Sequence, residues 1–170
     1  NQPQMIDTTA TIPATSTIIK LITGGCTRGM TTFGSKALFV ADDSTNGSEL
    51  WITDGTYAGT MMLKDINPAG SSLSTTTNIG ERTGRVAIAN GLAFFLATSN
   101  GIAVRLWKTD GTTAGTIEVS NVPSIVGSAT ATVTAVGNRV YFSGNTAEAG
   151  YEPWTSDGTS SGTFLIGNLM

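Results

Sequence analysis

The feature that most constrains this chain is a ten-residue motif that occurs three times. Trp51-Ile-Thr-Asp-Gly-Thr-Tyr-Ala-Gly-Thr60 returns at 107–116 as Trp107-Lys-Thr-Asp-Gly-Thr-Thr-Ala-Gly-Thr116. It returns again at 154–163 as Trp154-Thr-Ser-Asp-Gly-Thr-Ser-Ser-Gly-Thr163. Six of the ten positions are identical in all three copies, and every tryptophan of the chain belongs to one of them. The tryptophans stand 56 and 47 residues apart. A period of that length means a copied supersecondary unit whose neighbours bury one another's apolar faces.

The flanks repeat as well. An apolar run precedes each motif: Lys36 to Ala41, Leu92 to Ala97, and Arg139 to Ser143. These runs are rich in aromatic and β-branched residues and bounded by Gly, Asn or Asp, which predicts strands. A shorter strand is predicted before each, at Met30 to Phe33, Arg85 to Ala89 and Ala131 to Val136, with Gly34-Ser35, Asn90-Gly91 and Gly137-Asn138 as two-residue hairpin turns. After each Gly-Thr a fourth strand is predicted, at Met61 to Ile66, Ile117 to Val122 and Phe164 to Leu169. No window carries a 3.6-residue apolar period with helix caps, so the expected class is all-β.

The expected architecture is three repeated four-stranded antiparallel units, at 26–78, 79–127 and 128–170, forming one compact domain. Four-stranded sheets repeated radially are the β-propeller design. Residues 1–25 stand apart as an N-terminal arm and an unpaired strand. Within them, Ser16 to Gly25 follows the pattern of Gly59 to Gly70, as a fourth strand with no sheet of its own.

The motif residues read first as builders of the loop between the third and fourth strands. Asp54-Gly55-Thr56, Asp110-Gly111-Thr112 and Asp157-Gly158-Thr159 combine a residue that tolerates positive φ with side chains that bond nearby backbone N–H groups. Gly59, Gly115 and Gly162 then let the chain turn into the next strand. The rival reading is a row of carboxylates for cations or sugars, but Ca²⁺ takes six to eight oxygens and each unit supplies one Asp. Trp51, Trp107 and Trp154 are expected to pack between adjacent sheets, their rival role being platforms for sugar rings. Glu49 and Glu152 occupy matching positions before the Trp, with Arg105 in the second unit.

Composition excludes several functions. There is no His, which removes Ser-His-Asp and Cys-His catalysis and His-ligated metals. Nine Lys and Arg against twelve Asp and Glu give a net charge of −3, without the basic clusters that nucleic acid requires. No apolar run reaches the roughly 20 residues of a membrane span. Cys26 is the only cysteine and cannot form an internal disulfide. It reads as a small buried residue, with a disulfide between subunits as the sharper alternative. The loop Asp42 to Ser48 lacks the ligand order of a calcium loop. It does contain the sequon Asn46-Gly47-Ser48, which makes Asn46 a candidate glycosylation site. No carboxylate pair stands out from the repeat as glycosidases require, so no enzyme, no cofactor and no metal are expected. Thr and Ser number 29 and 15, a charge-poor, hydroxyl-rich balance that fits a bacterial or archaeal surface protein.

The motif resembles the Glu-Leu-Trp-x-x-Asp-Gly-Thr-x-x-Gly-Thr repeat, often continued as Val-Lys-Asp-Ile-Asn-Pro-Gly, of large bacterial secreted and surface proteins. Glu49-Leu-Trp51 through Gly70 matches nearly throughout, and the resemblance covers about residues 16–170. The other copies depart, with Arg105-Leu106-Trp107 and Glu152-Pro153-Trp154. The resemblance implies an extracellular, propeller-like repeat protein. The expectation is a non-enzymatic structural subunit at the cell surface that assembles with itself into a filament or surface layer by strand addition. The alternatives are a glycan-binding or adhesive propeller and a fragment of a longer propeller.

Overall fold

The computed structural model describes residues 30–73, 86–120, 125, 132–146 and 150–169. All regular structure among them is β-strand, in three four-stranded antiparallel sheets. The first sheet is β1 (Thr31–Phe33), β2 (Lys36–Asp42), β3 (Ser48–Thr53) and β4 (Met61–Met62). The second is β5 (Val86–Ala89), β6 (Leu92–Thr98), β7 (Val104–Thr109) and β8 (Ile117–Glu118). The third is β9 (Thr134–Val136), β10 (Arg139–Thr146), β11 (Gly150–Ser156) and β12 (Phe164–Leu165). Strand order follows chain order within each sheet, as the repeat predicts.

The first hairpin of each sheet closes on two residues, with Phe33 opposite Lys36, Ala89 opposite Leu92 and Val136 opposite Arg139. Asn90 and Gly91 both hold positive φ, as a type I′ turn requires, whereas only the leading Gly is positive in Gly34-Ser35 and Gly137-Asn138.

The fourth strands are shorter than the sequence predicts. The runs 61–66, 117–122 and 164–169 pair for two residues each. One further ladder bond follows in every sheet: Leu63 N–H to Leu50 O, Val119 N–H to Leu106 O and Ile166 N–H to Pro153 O. The chain then leaves the ladder. In the first and third sheets later N–H groups of the run are taken by a buried glutamate, Glu49 for Ile66 and Glu152 for Leu169. The side chain supplies an acceptor where a neighbouring strand otherwise would, so the run need not stay extended. The strand expected within residues 15–23, the N-terminal arm and Cys26 lie outside the described residues.

Alternation along the strands gives each sheet two faces. The face of the first sheet with Leu38, Leu50, Ile52 and Leu63 packs on the face of the second with Ala93, Phe95, Ala97 and Trp107. The opposite face of the second sheet, with Phe94, Leu106 and Val119, packs on Val140, Phe142 and Trp154 of the third. Trp107 and Trp154 thus fill gaps between consecutive sheets, as expected, with Trp107 buried and Trp154 half-buried. Trp51 departs from the expectation. It is buried with Phe39, Ala41 and Met62 on the face of the first sheet turned away from the second, the same face that in the second and third sheets carries Trp107 and Trp154 toward the sheet before.

Removing a buried Trp leaves a cavity that surrounding strands fill poorly. Trp107→Ala should therefore lower unfolding stability by about 3–5 kcal/mol, and Trp154→Ala by less. Chemical denaturation followed by far-ultraviolet circular dichroism checks both.

Candidate functional site: the Asp-Gly-Thr loops and the buried glutamates

Each loop after the third strand closes on its own polar groups. Asp54 Oδ1 accepts from the Thr56 N–H at 2.9 Å and its hydroxyl at 2.7 Å. The Thr56 hydroxyl oxygen accepts from the Gly59 N–H, and the Thr60 hydroxyl donates to Thr56 O. Thr53 closes the ring, its hydroxyl 2.7 Å from that of Thr60 while accepting from the Gly55 N–H. Asp110 to Thr116 and Asp157 to Thr163 repeat the same bonds, with Thr109 and Ser156 in the place of Thr53. Every constant position of the motif after the Trp has a task in this network. The second Gly is fixed by space: a Cβ on Gly59, Gly115 or Gly162 would lie 2.0 Å from the carboxylate of its loop's Asp.

The first Gly of the motif does more. Gly55, Gly111 and Gly158 hold φ of +88°, +88° and +90°, a region that L side chains avoid. Gly111 also faces the preceding sheet, where an added Cβ would stand 3.0 Å from Phe33 Cε1 and 3.3 Å from Ile52 Cδ1. Gly158 likewise faces Phe94 Cζ at 3.1 Å and Lys108 Cδ at 3.3 Å. Gly55 has nothing within 4 Å of that position. The second and third loops are therefore docking elements between sheets. Lysines fasten them from the preceding unit: Lys64 Nζ donates to Thr116 O at 3.0 Å, and Lys108 Nζ to Gly158 O at 2.6 Å. Lys64 also lies over the Trp107 ring, 5.9 Å from its centroid. Motif reading missed these two lysines because they fall at different places in the repeat, one after β4 and one beside the Trp of β7.

The electrostatics agree with a loop-building role. The Thr56 hydroxyl, and then its N–H, hold the Asp54 carboxyl below its ordinary value of 3.8. Thr112 does the same for Asp110 and Thr159 for Asp157. Asp157 also has Arg139 at 3.6 Å.

The glutamates differ. Glu49 is fully buried and accepts from the Ile66 N–H, the Ser72 N–H and the Ser72 hydroxyl. Burial outweighs these donors and pushes its carboxyl from 4.5 up to about 7. Glu152 is equally enclosed, but its Oε2 has the Leu169 N–H at 3.0 Å while its Oε1 has no partner. Arg105, in the second unit, reaches Glu118 at 3.9 Å instead.

The loop between β2 and β3 is held by its own carboxylates. Asp42 accepts from the Ser44 N–H, and Asp43 Oδ1 from the Thr45 and Asn46 N–H groups. Burial raises the Asp43 carboxyl, but those two N–H groups and the Asn46 amide together bring it below its ordinary value. The Asn46 side-chain nitrogen, which N-glycosylation would modify, donates to Asp43 Oδ2 at 2.6 Å. Among the described residues no three His, Cys, Asp or Glu are grouped to hold a metal ion.

Neither a family model nor a curated protein matches the chain. Solved structures do, and two of them are crystal structures of puromycin hydrolase. One is a point mutant of puromycin hydrolase complexed with PGG, 14% identical with a TM-score of 0.58 over 82% of this chain. The other is puromycin hydrolase, 17% identical with a TM-score of 0.55 over 78%. The chain spans about a fifth of the length of either, 20% and 19%. Together with the three serial four-stranded sheets, this likeness establishes a propeller-like, all-β fold.

Two outcomes follow. Gly55→Ala and Gly111→Ala carry the same φ penalty, on the order of 1–2 kcal/mol, but Gly111→Ala should cost more because its Cβ also presses on Phe33. Paired thermal melts read the difference. Protonation sets the second. A carboxyl whose folded pKa is raised keeps its proton in the folded state, so the Glu49 contribution is full below 4.5 and fades as pH rises toward about 7. The lowered Asp groups act oppositely and lose their contribution as pH falls below 3.8. Melting temperature should therefore fall between pH 5 and 7 in the native chain, and Glu49→Gln should flatten that slope.

Proposed function

We propose that this chain is a non-enzymatic, extracellular structural protein whose copies assemble with one another into a filament or surface layer by strand addition. The observation that carries the reading is the outer face of the third sheet. Val136, Tyr141, Tyr151, Phe164 and Ile166 lie on that face and are 37–61% exposed. Tyr141 occupies the place of Leu38 and Phe94, and Ile166 that of Leu63 and Val119. Those four residues are buried under the following sheet. The third sheet thus ends the described array with a face built like an interface, and contiguous apolar patches of that kind mark association sites.

The two ends of the array are unlike, so contact between copies is head-to-tail. Such contacts give rings when the rotation closes and filaments when it does not. The sequence supplies a strand to donate, at 15–23, whose pattern repeats that of a fourth strand. The Asp-Gly-Thr carboxylates are engaged in holding their own loops, which supports a structural task over a catalytic one. The hydroxyl-rich, charge-poor composition supports a place outside the cell.

Electron microscopy and light scattering of the full chain test this. The expected result is an extended assembly at micromolar concentration, reduced to monomers or small oligomers by deletion of residues 1–25. A monomer at high concentration, unchanged by that deletion, would overturn the reading.

A further inference from the structure

The three Asp-Gly-Thr loops are built alike but are not equally covered. We propose that the loop at 54–60 of a second copy seats on the open face of the third sheet, with its Gly55 against the Tyr141 ring. The inference rests on the self-assembly reading and names the surfaces that meet, which are sheet faces and loops rather than sheet edges.

The loops carry the same internal bonds, so they fold alike. Their surroundings differ. Thr109 and Thr116 of the second loop are buried, as are Ser156, Gly158 and Thr163 of the third, and Gly111 is half-buried. The matching Thr53 and Thr60 of the first loop are only half-buried, and Gly55 is exposed. The sheet before each later loop supplies the cover. Phe33 and Ile52 stand beside Gly111, and Phe94 and Lys108 beside Gly158. No described sheet precedes the first, and nothing lies within 4 Å of a Cβ position at Gly55. The first loop is a docking element without a dock.

The third sheet is a dock without a loop. Counted from the hairpin turns and the Trp, with no gap, Tyr141 holds the place of Phe94, Val136 that of Phe33, and Thr155 that of Ile52 and Lys108. Tyr141 and Val136 are exposed, whereas Phe94, under the third loop, is fully buried. A ring therefore stands open at the position that receives a glycine one sheet earlier. Trp51 is already buried within its own chain, so the second copy brings its loop and not its Trp to the contact. The fasteners are absent as well. Gly167 stands at the place of Lys64, and Thr155 at that of Lys108. Arg139, the cation on this face, is engaged in its own sheet by Thr155, Gly162 and Asp157. The joint between copies is thus a weaker version of the joints within a chain, and addition of copies is reversible.

The missing lysine makes the contact measurable by gain as well as by loss. A Cβ at Gly167 meets nothing within 4 Å, so Gly167→Lys fits the folded chain and places an amine where Lys64 reaches Thr116 O. Full-length wild type, Gly167→Lys, Gly55→Ala and Gly101→Ala are compared by light scattering and sedimentation velocity, with circular dichroism to check folding. Gly101 has the same left-handed φ and open surroundings as Gly55 but lies between β6 and β7, so its substitution controls for backbone strain. Gly167→Lys should lower the half-assembly concentration about tenfold, as one charged hydrogen bond does. Gly55→Ala should raise it several-fold, because the added Cβ presses on the Tyr141 ring, and Gly101→Ala should leave it unchanged. Assembly that responds to neither Gly167→Lys nor Gly55→Ala would overturn this contact and leave self-assembly standing. So would growth that stops at a dimer indifferent to Gly55→Ala, which would pair two third sheets with each other. A wild-type chain that stays monomeric at high concentration would overturn both.

Discussion

The array depends on a close approach of backbone to side chain. At Gly111 and Gly158 the loop of one sheet lies against an aromatic ring of the sheet before it, close enough that an added Cβ would stand 3.0 and 3.1 Å from the ring. The same residues hold a left-handed φ near +90°. That conformation is kept by the loop's internal bonds, in which Asp accepts from Thr and Thr accepts from Gly. Local polar closure thus shapes the part that makes the apolar contact. Loop and interface are one device, which is why Asp, Gly and Thr recur together.

This coupling gives the array a direction. The Trp faces and loops of the second and third sheets point toward the preceding sheet, while Lys64 and Lys108 point from a sheet toward the next. The ends are consequently different surfaces. Gly55 has open space where Gly111 has Phe33, and Tyr141 is exposed where Leu38 and Phe94 are buried.

Much of this was legible in the residues. The alternation in 36–41 and 92–97, the two-residue turns and the triplicated motif fix sheet number, strand order and loop position. They did so because period-2 patterning and turn chemistry are local properties. The fourth strands were overestimated because nothing local marks where a ladder bond yields to a side chain. Glu49 lies 17 residues before the N–H it receives, and a carboxylate there reads equally well as a surface charge. The burial of Trp51 away from the second sheet was hidden for a similar reason. A repeat shows that each Trp has one role, but not which neighbour it faces. The lysine contacts to Thr116 and Gly158 span 52 and 50 residues and leave no periodic trace.

The contact between loop and preceding sheet is tested most directly by a double-mutant cycle on Gly111→Ala and Phe33→Ala, with Gly55→Ala and Phe33→Ala as the reference pair. Stability is read from chemical denaturation of all variants. If the added Cβ at 111 presses on the Phe33 ring, removing the ring relieves part of the penalty. The first pair is then non-additive by at least about 0.5 kcal/mol while the reference pair adds. Additive behaviour in both pairs would contradict the docking role of the loop.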